Sequence, residues 1–372
     1  MAKKFIVTPW EVKGEVDYNK LIKEFGISLL THDLLKRLEK HTGELHYFLR
    51  RKIFFAHRDL DWLLNEYEHG NKFYLYTGRG PSGHTHLGHL IPWIFTKWLQ
   101  EKFDAKLYFQ ITDDEKFLFK EKLTLEKVKS FAYDNLLDII SIGFDPKKTF
   151  IFLDTEYAKT LYKEAIRVAK HITFSTVKAT FGLKESSNIG KIFFTSMQAV
   201  PAFIESVKEK KNVPCLIPLA VDQDPHFRIA RDIMPKLGYY KPAIIHSKFL
   251  PGLGKDGKMS TSEPETAIFT IDSEKDIERK IMNAFDGGQP TLEEQREKGG
   301  NPEICPIYQY YFFLFEKNDK KLDEIFKDCK SGNRICGECK RILATRVKEF
   351  ILKHQEEREK AKNKIDDFLL KD

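Results

Sequence analysis

From Lys72 onward, short apolar runs of strand length alternate with longer stretches whose apolar residues recur at helical spacing. That alternation is the pattern of βαβ units, in which helices cover both faces of a parallel sheet. KFYLYTG, AKLYFQIT, KTFIFLD, PCLIPLAVD and PAIIHSKFL read as strands, and LTLEKVKSFAYDNLLDIISIG as an amphipathic helix between them. The expected fold is α/β, a doubly wound parallel sheet. Ahead of it, FIVTPWEV reads as a short β-type piece, and LIKEFG, HDLLKRLEKHTG and DLDWLLNEYEHG as helical segments closed by glycine. After about Glu265 strand signals thin out and helical text runs to the end. The expected division is an N-terminal extension over residues 1–71, a Rossmann-like sheet domain over 72–264 and an α-helical domain over 265–372.

A chain of 372 residues with 41% hydrophobic content buries a substantial core, so disorder as the main theme is excluded. Lys and Arg outnumber Asp and Glu by 62 to 55, a charge of +7 that tolerates a polyanionic partner without demanding one. No apolar run reaches the ~20 residues of a membrane span, and MAKKFIVTPWEV lacks the apolar stretch of a secretory signal. A soluble, cytoplasmic protein is expected, with no membrane partner. Five cysteines are an odd number for a disulfide framework. Cys329, Cys336 and Cys339 cluster, but neither Cys305 nor His354 completes a zinc pattern by spacing. The expectation is a reduced segment with no metal.

The most informative text is FYLYTGRGPSGHTHLGHLIPWIFTKWLQ, which reads strand, loop, helix. Gly78, Gly80, Gly83 and Gly88 permit close approach of a ligand, and His86 and His89 stand where the helix begins. Backbone N–H groups at a helix start favour phosphate, and two imidazoles add donors. Gly78, Gly80 and Gly83 also spell the dinucleotide fingerprint. The helix starts too late for it, however, and the acidic residue expected about twenty positions on is misplaced. Downstream, GKDGKMSTS at 254–262 carries Lys255, Lys258, Ser260, Thr261 and Ser262, a set suited to a polyphosphate. By itself such a loop reads as a solvated basic turn.

The pair of motifs resembles the ATP-holding elements of class I aminoacyl-tRNA synthetases. YLYTGRGPS, HLIPWIFTKWLQ, QITDDEK, QAVPAF, AVDQDPHFRIARD and KMSTS, in that order, resemble the tryptophanyl-tRNA synthetases of archaeal and eukaryotic type over nearly the whole chain. Thr261 departs from the general loop, which has a second lysine there. The resemblance implies a ligase that joins tryptophan to ATP as an adenylate and passes it to tRNA(Trp), with Mg²⁺ accompanying ATP, and a homodimer. It implies catalytic roles for His86, His89 and Lys258, and contacts to ATP from Arg79, Gly80, His86, Gly88, His89, Lys116, Lys258, Met259, Ser260 and Ser262. For L-tryptophan it implies Tyr76, Gly78, Gln110, Glu115, Gln198 and Gln223. Tyr76 and Gln110 would face the indole nitrogen, which offers one donor and no acceptor. Glu115, Gln198 and Gln223 suit the α-amino group and the back of the site. The helical region is implied to bind the anticodon.

Two readings stay beside this one: a tyrosyl-tRNA synthetase, and a synthetase that has lost catalysis and serves as a binding protein. Thr112 to Lys116, TDDEK, reads as pocket edge and loop, with no metal assigned. HRDL at 57–60 lacks the asparagine and glycine-rich loop of a kinase. Arg334, Lys340, Arg341, Arg346 and Lys348 against one Glu338 make a candidate phosphate-facing patch, of which Arg334, Lys340 and Arg341 are the tRNA candidates. Arg50, Arg51, Lys52 and Arg58, among Tyr47, Phe48, Phe54 and Phe55, either touch the acceptor arm of tRNA or edge a helix.

Overall fold

The computed structural model describes residues 6–8, 11–13, 17–255, 259 and 263–372. Its nine strands are β1 (Ile6–Thr8), β2 (Glu11–Lys13), β3 (Ser28–Leu29), β4 (Phe54–Arg58), β5 (Tyr74–Arg79), β6 (Leu107–Ile111), β7 (Thr149–Leu153), β8 (Cys215–Ala220) and β9 (Ala243–Ser247). β1 and β2 pair antiparallel, and the others form one sheet in the order β3-β4-β9-β8-β5-β6-β7. From β9 to β7 all pairings are parallel, whereas β4 lies antiparallel to β9, and β3 to β4. The five parallel strands are those expected from the apolar runs. β3 and β4 are an addition: the N-terminal segment supplies the edge of a mixed sheet.

Alternation along each strand divides the core in two. Leu75, Leu107, Phe109, Ile151 and Ile245 face a cluster that includes the helix Leu87–Phe103, the helix Leu125–Ser141 and the C-terminal helices. Tyr74, Tyr76, Tyr108, Phe152 and Ile217 face the other, under the helices Ala158–Ala169, Ile189–Ala199 and Asp224–Ile233. Side chains with a period of two thus feed two helical layers.

The C-terminal region belongs to the first of these clusters. Its 26-residue helix Cys336–Ala361 is tied to Leu125–Ser141 by His354, whose Nε2 lies 2.9 Å from Asp138, and by Arg358, which reaches Asp134 at 2.6 Å. Beyond it the chain returns to the sheet, where Leu370 N–H donates to the Ile151 carbonyl and covers the open edge of β7. At the opposite edge Arg58 makes two 2.8 Å bonds to buried Asp224, which also takes a 2.8 Å contact from His246. Arg58 is therefore a strut between β4 and the helix Asp224–Ile233. Arg50 and Arg51 both hold Asp319. This basic and aromatic group clamps the protein to itself, which removes the acceptor-arm alternative for Arg50, Arg51 and Arg58.

Candidate active site

β5 pairs with β6 over five residues, from Leu75–Leu107 to Arg79–Ile111. Its pairing with β8 covers only Tyr74–Cys215 and Leu75–Leu216. The next donor in that ladder would be the amide of Pro218, which has no N–H. The strands therefore separate toward their carboxyl ends. This opening lies where the strand order reverses, with β6 and β7 on one side and β8 and β9 on the other, the place where open α/β sheets bind ligands.

The helix Leu87–Phe103 starts beside this cleft. His86 N–H donates to His89 Nδ1 at 3.1 Å, and the two rings stack with centroids 3.6 Å apart. Because His89 Nδ1 accepts, its ring proton sits on Nε2. Burial lowers His86 to about 3, with Arg79 adding to the effect, and burial followed by Arg79 and His86 lowers His89 well below the ordinary value. Both imidazoles are neutral at pH 7 and act as hydrogen-bond donors, not as cations.

Pairing of 85–87 with 268–270 brings the second motif to the same place. Leu87 N–H donates to Ile268 O at 3.0 Å and Thr270 N–H to Thr85 O at 3.0 Å. A Cβ added at Gly88 would lie 3.1 Å from the His86 ring and 3.3 Å from Met259 Sδ. Gly88 and Met259 are therefore neighbours. Lys258, Ser260, Thr261 and Ser262 lie outside the described residues.

Two basic side chains line the loop after β5. Arg79 donates from Nε to Asn135 Oδ1 at 2.9 Å, and Asn135 donates to Gly83 O at 3.0 Å, fixing guanidinium and loop together. Burial brings Arg79 down to about 10, against the pull of Asp138 and Glu115, so it stays charged. Lys116 Nζ lies 2.6 Å from Glu115 Oε1, and Thr112 donates to Glu115 Oε2 at 2.8 Å. Burial pushes Glu115 up, but Lys116 and its hydrogen bond bring it below the usual range. Gly80 admits this pair: a Cβ there would stand 2.0 Å from Lys116 Cε. The expected loop at TDDEK is a correction, since strand β6 ends at Ile111 and Asp113–Phe119 is a short helix. Adjacent carboxylates at its start are favoured by the helix dipole.

Deeper in the cleft, the Tyr76 hydroxyl donates to Gln110 Oε1 and accepts from Gln198 Nε2 at 2.8 Å. Gln110 Nε2 donates to both oxygens of Asp154, at 2.8 and 3.0 Å. Phe227 meets the Tyr76 ring edge-on at 5.7 Å. Gly78 packs against the Gln110 backbone, where a Cβ would stand 2.9 Å from its carbonyl oxygen. Gln223 precedes the helix carrying Phe227 and donates to Asp222 at 3.0 Å. Tyr76, Gln110 and Gln198 thus come together directly, while Glu115 sits with Lys116 nearer Gly80. Sequence reasoning missed Asp154 and Asn135. Asp154 directly follows a strand, at the carboxyl end where such sheets bind ligands, and that position was its signal. Burial, then Asp114, pushes Asp154 well up, while burial raises Asp114 to about 7, so this pair holds a proton near neutrality.

The basic stretch of the helical region is used differently. Lys340 is buried and donates to Met282 O at 3.2 Å and Ala284 O at 2.7 Å, with Asp286 at 2.6 Å. Its assignment to a tRNA-facing patch is overturned, because the ammonium closes the end of the helix Glu274–Met282. Arg334 lies over the Tyr311 ring, Arg346 is paired with Glu316 and Lys348 with Glu278. Arg341 is exposed.

Sheet order, cleft and paired motifs define a class I nucleotide-activating core. Residues 68–351 match the model of class I tRNA synthetases for tryptophan and tyrosine. The tryptophan–tRNA ligase of Pyrococcus furiosus is 57% identical over 371 residues, covering 99% of this chain and 94% of the relative. That of Pyrobaculum aerophilum is 50% identical, covering 100% and 98%. The solved tryptophanyl-tRNA synthetase of Plasmodium falciparum superposes with a TM-score of 0.89 at 45% identity, over 95% of this chain and 97% of that one. The chain belongs to the tryptophanyl-tRNA synthetases.

Proposed function

We propose that this cleft activates L-tryptophan with ATP and that the chain then transfers it to the 3′ end of tRNA(Trp). The observation supporting the amino-acid side is the chain Asp154–Gln110–Tyr76. The carboxylate takes the amide N–H group of Gln110, so its oxygen faces Tyr76 and engages the phenolic proton. The Tyr76 oxygen is then left as an acceptor beside Phe227, which suits one indole N–H in an apolar slot.

In the reaction, the tryptophan carboxylate attacks the α-phosphorus of ATP. The bond to the bridging oxygen breaks, pyrophosphate leaves, and a ribose hydroxyl of the terminal adenosine later displaces AMP. No side-chain nucleophile is needed, so catalysis is positioning and charge stabilisation. His86 and His89 donate from neutral rings to phosphate oxygens. Arg79, Lys116 and Lys258 supply positive charge, with Gly80, Gly88, Met259, Ser260 and Ser262 framing the nucleotide. Glu115 and Gln223 sit toward the α-amino group. Mg²⁺ enters as part of the nucleotide substrate, since the nearby carboxylates are engaged by protein partners: Asp113 by Thr155, Glu115 by Lys116.

Residues 72–264 carry the chemistry and 265–372 meet the anticodon in this reading, in a cytoplasmic homodimer that light scattering would test. Among the described residues no helix is long and apolar enough to cross a membrane. The deciding experiment is ATP–pyrophosphate exchange with each amino acid in turn. Tryptophan is expected to drive it, and equal or faster exchange with tyrosine would overturn the assignment. Gln110→Ala should raise the KM for tryptophan about tenfold, the cost of one buried hydrogen bond, with the KM for ATP unchanged.

A further inference from the structure

Four cysteines line one pocket in the helical region: Cys305, Cys329, Cys336 and Cys339. They reach it from three elements. Cys305 directly precedes the helix Pro306–Tyr310, Cys329 is in the last turn of Asp319–Lys330, and Cys336 and Cys339 open the helix Cys336–Ala361. All are free thiols, and the fifth, Cys215, is buried elsewhere in β8. Spacing alone did not join Cys305 to the other three; the fold does.

The pocket wall is shaped around sulfur. A Cβ at Gly288 would stand 2.5 Å from Cys336 Sγ, and one at Gly300 would stand 2.9 Å from Cys329 Sγ. The loop that closes the pocket approaches these thiols because it carries glycine at both points. Arg334 and Lys340 also line the pocket, and both are cations. Four thiolates around a divalent ion leave an excess of negative charge, which cations in the wall offset.

We infer that these four cysteines form a soft-metal site, holding through thiolate sulfur a zinc ion or an iron–sulfur core. Tetrathiolate ligation is the shared chemistry of both. Among the described residues, no three His, Cys, Asp or Glu side chains already form a group that could hold a single ion. The sulfurs therefore stand around a space of about 370 Å³, its mouth included. A polynuclear core spans such a space, whereas zinc requires the thiols to turn inward. In either form the metal cross-links the three helices that lead into the long C-terminal one, and binding displaces the thiol protons.

The test is metal and acid-labile sulfide analysis of the full chain, purified without oxygen or chelator. The expected content is about one zinc per chain, or about four iron with matching sulfide and broad visible absorption. Serine at any of Cys305, Cys329, Cys336 or Cys339 should remove most of it, while Cys215→Ser retains it. Metal content unaffected by those serines overturns the site, as does a chain that takes up neither zinc nor iron with sulfide on reconstitution. Alkylation of the unmutated chain, read peptide by peptide, covers the case in which a serine variant fails to fold. The four thiols should be protected together and released together when metal is stripped; independent reaction of each would overturn the inference.

Discussion

The cleft at the strand ends and the start of the long C-terminal helix both carry dense basic sequence, yet they spend it differently. In the cleft, Arg79 is held by Asn135 and Lys116 lies across Gly80, so both charges are fixed where β5 and β8 part. In the helical region, Lys340 turns inward onto two carbonyls and Asp286, and Arg346 onto Glu316, leaving Arg341 exposed. Position explains the contrast. A residue at the end of a parallel strand is delivered to the cleft by the backbone, whereas a residue on a helix faces whatever packs against it.

The contrast breaks most visibly at Lys340. Lys340→Met should cost about 3 kcal/mol of stability, since it leaves Asp286 and two carbonyls without their cation. Denaturant unfolding would measure it, and a loss near zero would return Lys340 to the surface. Gly80→Ala tests the other side: its Cβ must displace Lys116, and misplacing one charged group should slow tryptophan-dependent exchange about 10²-fold with little change in melting temperature.

A third test uses pH. His86 stays neutral in the folded chain down to about 3, while in the unfolded chain it takes up a proton below about 6.5. Its contribution to stability is therefore lost progressively as pH falls from about 6.5 toward 3, by about 2 kcal/mol between neutrality and pH 5. His86→Gln removes this group, so its stability relative to the parent should improve by that amount over the same interval. A parallel pH profile for the two proteins would mean His86 is protonated when folded. The smallest effect is expected at Arg341. Arg341→Glu should leave stability and exchange intact but weaken tRNA charging and flatten its salt dependence, through fewer released counterions. Unchanged charging over a range of salt would remove Arg341 from the tRNA surface.

The parallel strands, the helix starting at His86 and the glycines around Arg79 were legible in the sequence, because strand period, caps and glycine act over a few residues. So were Tyr76 and Gln110, which lie on strands whose direction fixes where they point. Local pattern did not reveal that β3 and β4 extend the sheet, or that Asp154 orients Gln110, because these pairings join residues distant in sequence. Asp224 makes the same point: it is anchored by Arg58 and His246, from two other strands. The inward turn of Lys340 and the meeting of Cys305 with Cys329, Cys336 and Cys339 were likewise decided by helices packing on helices. Sequence spacing states which side chains share a face, and tertiary contact alone states what that face meets.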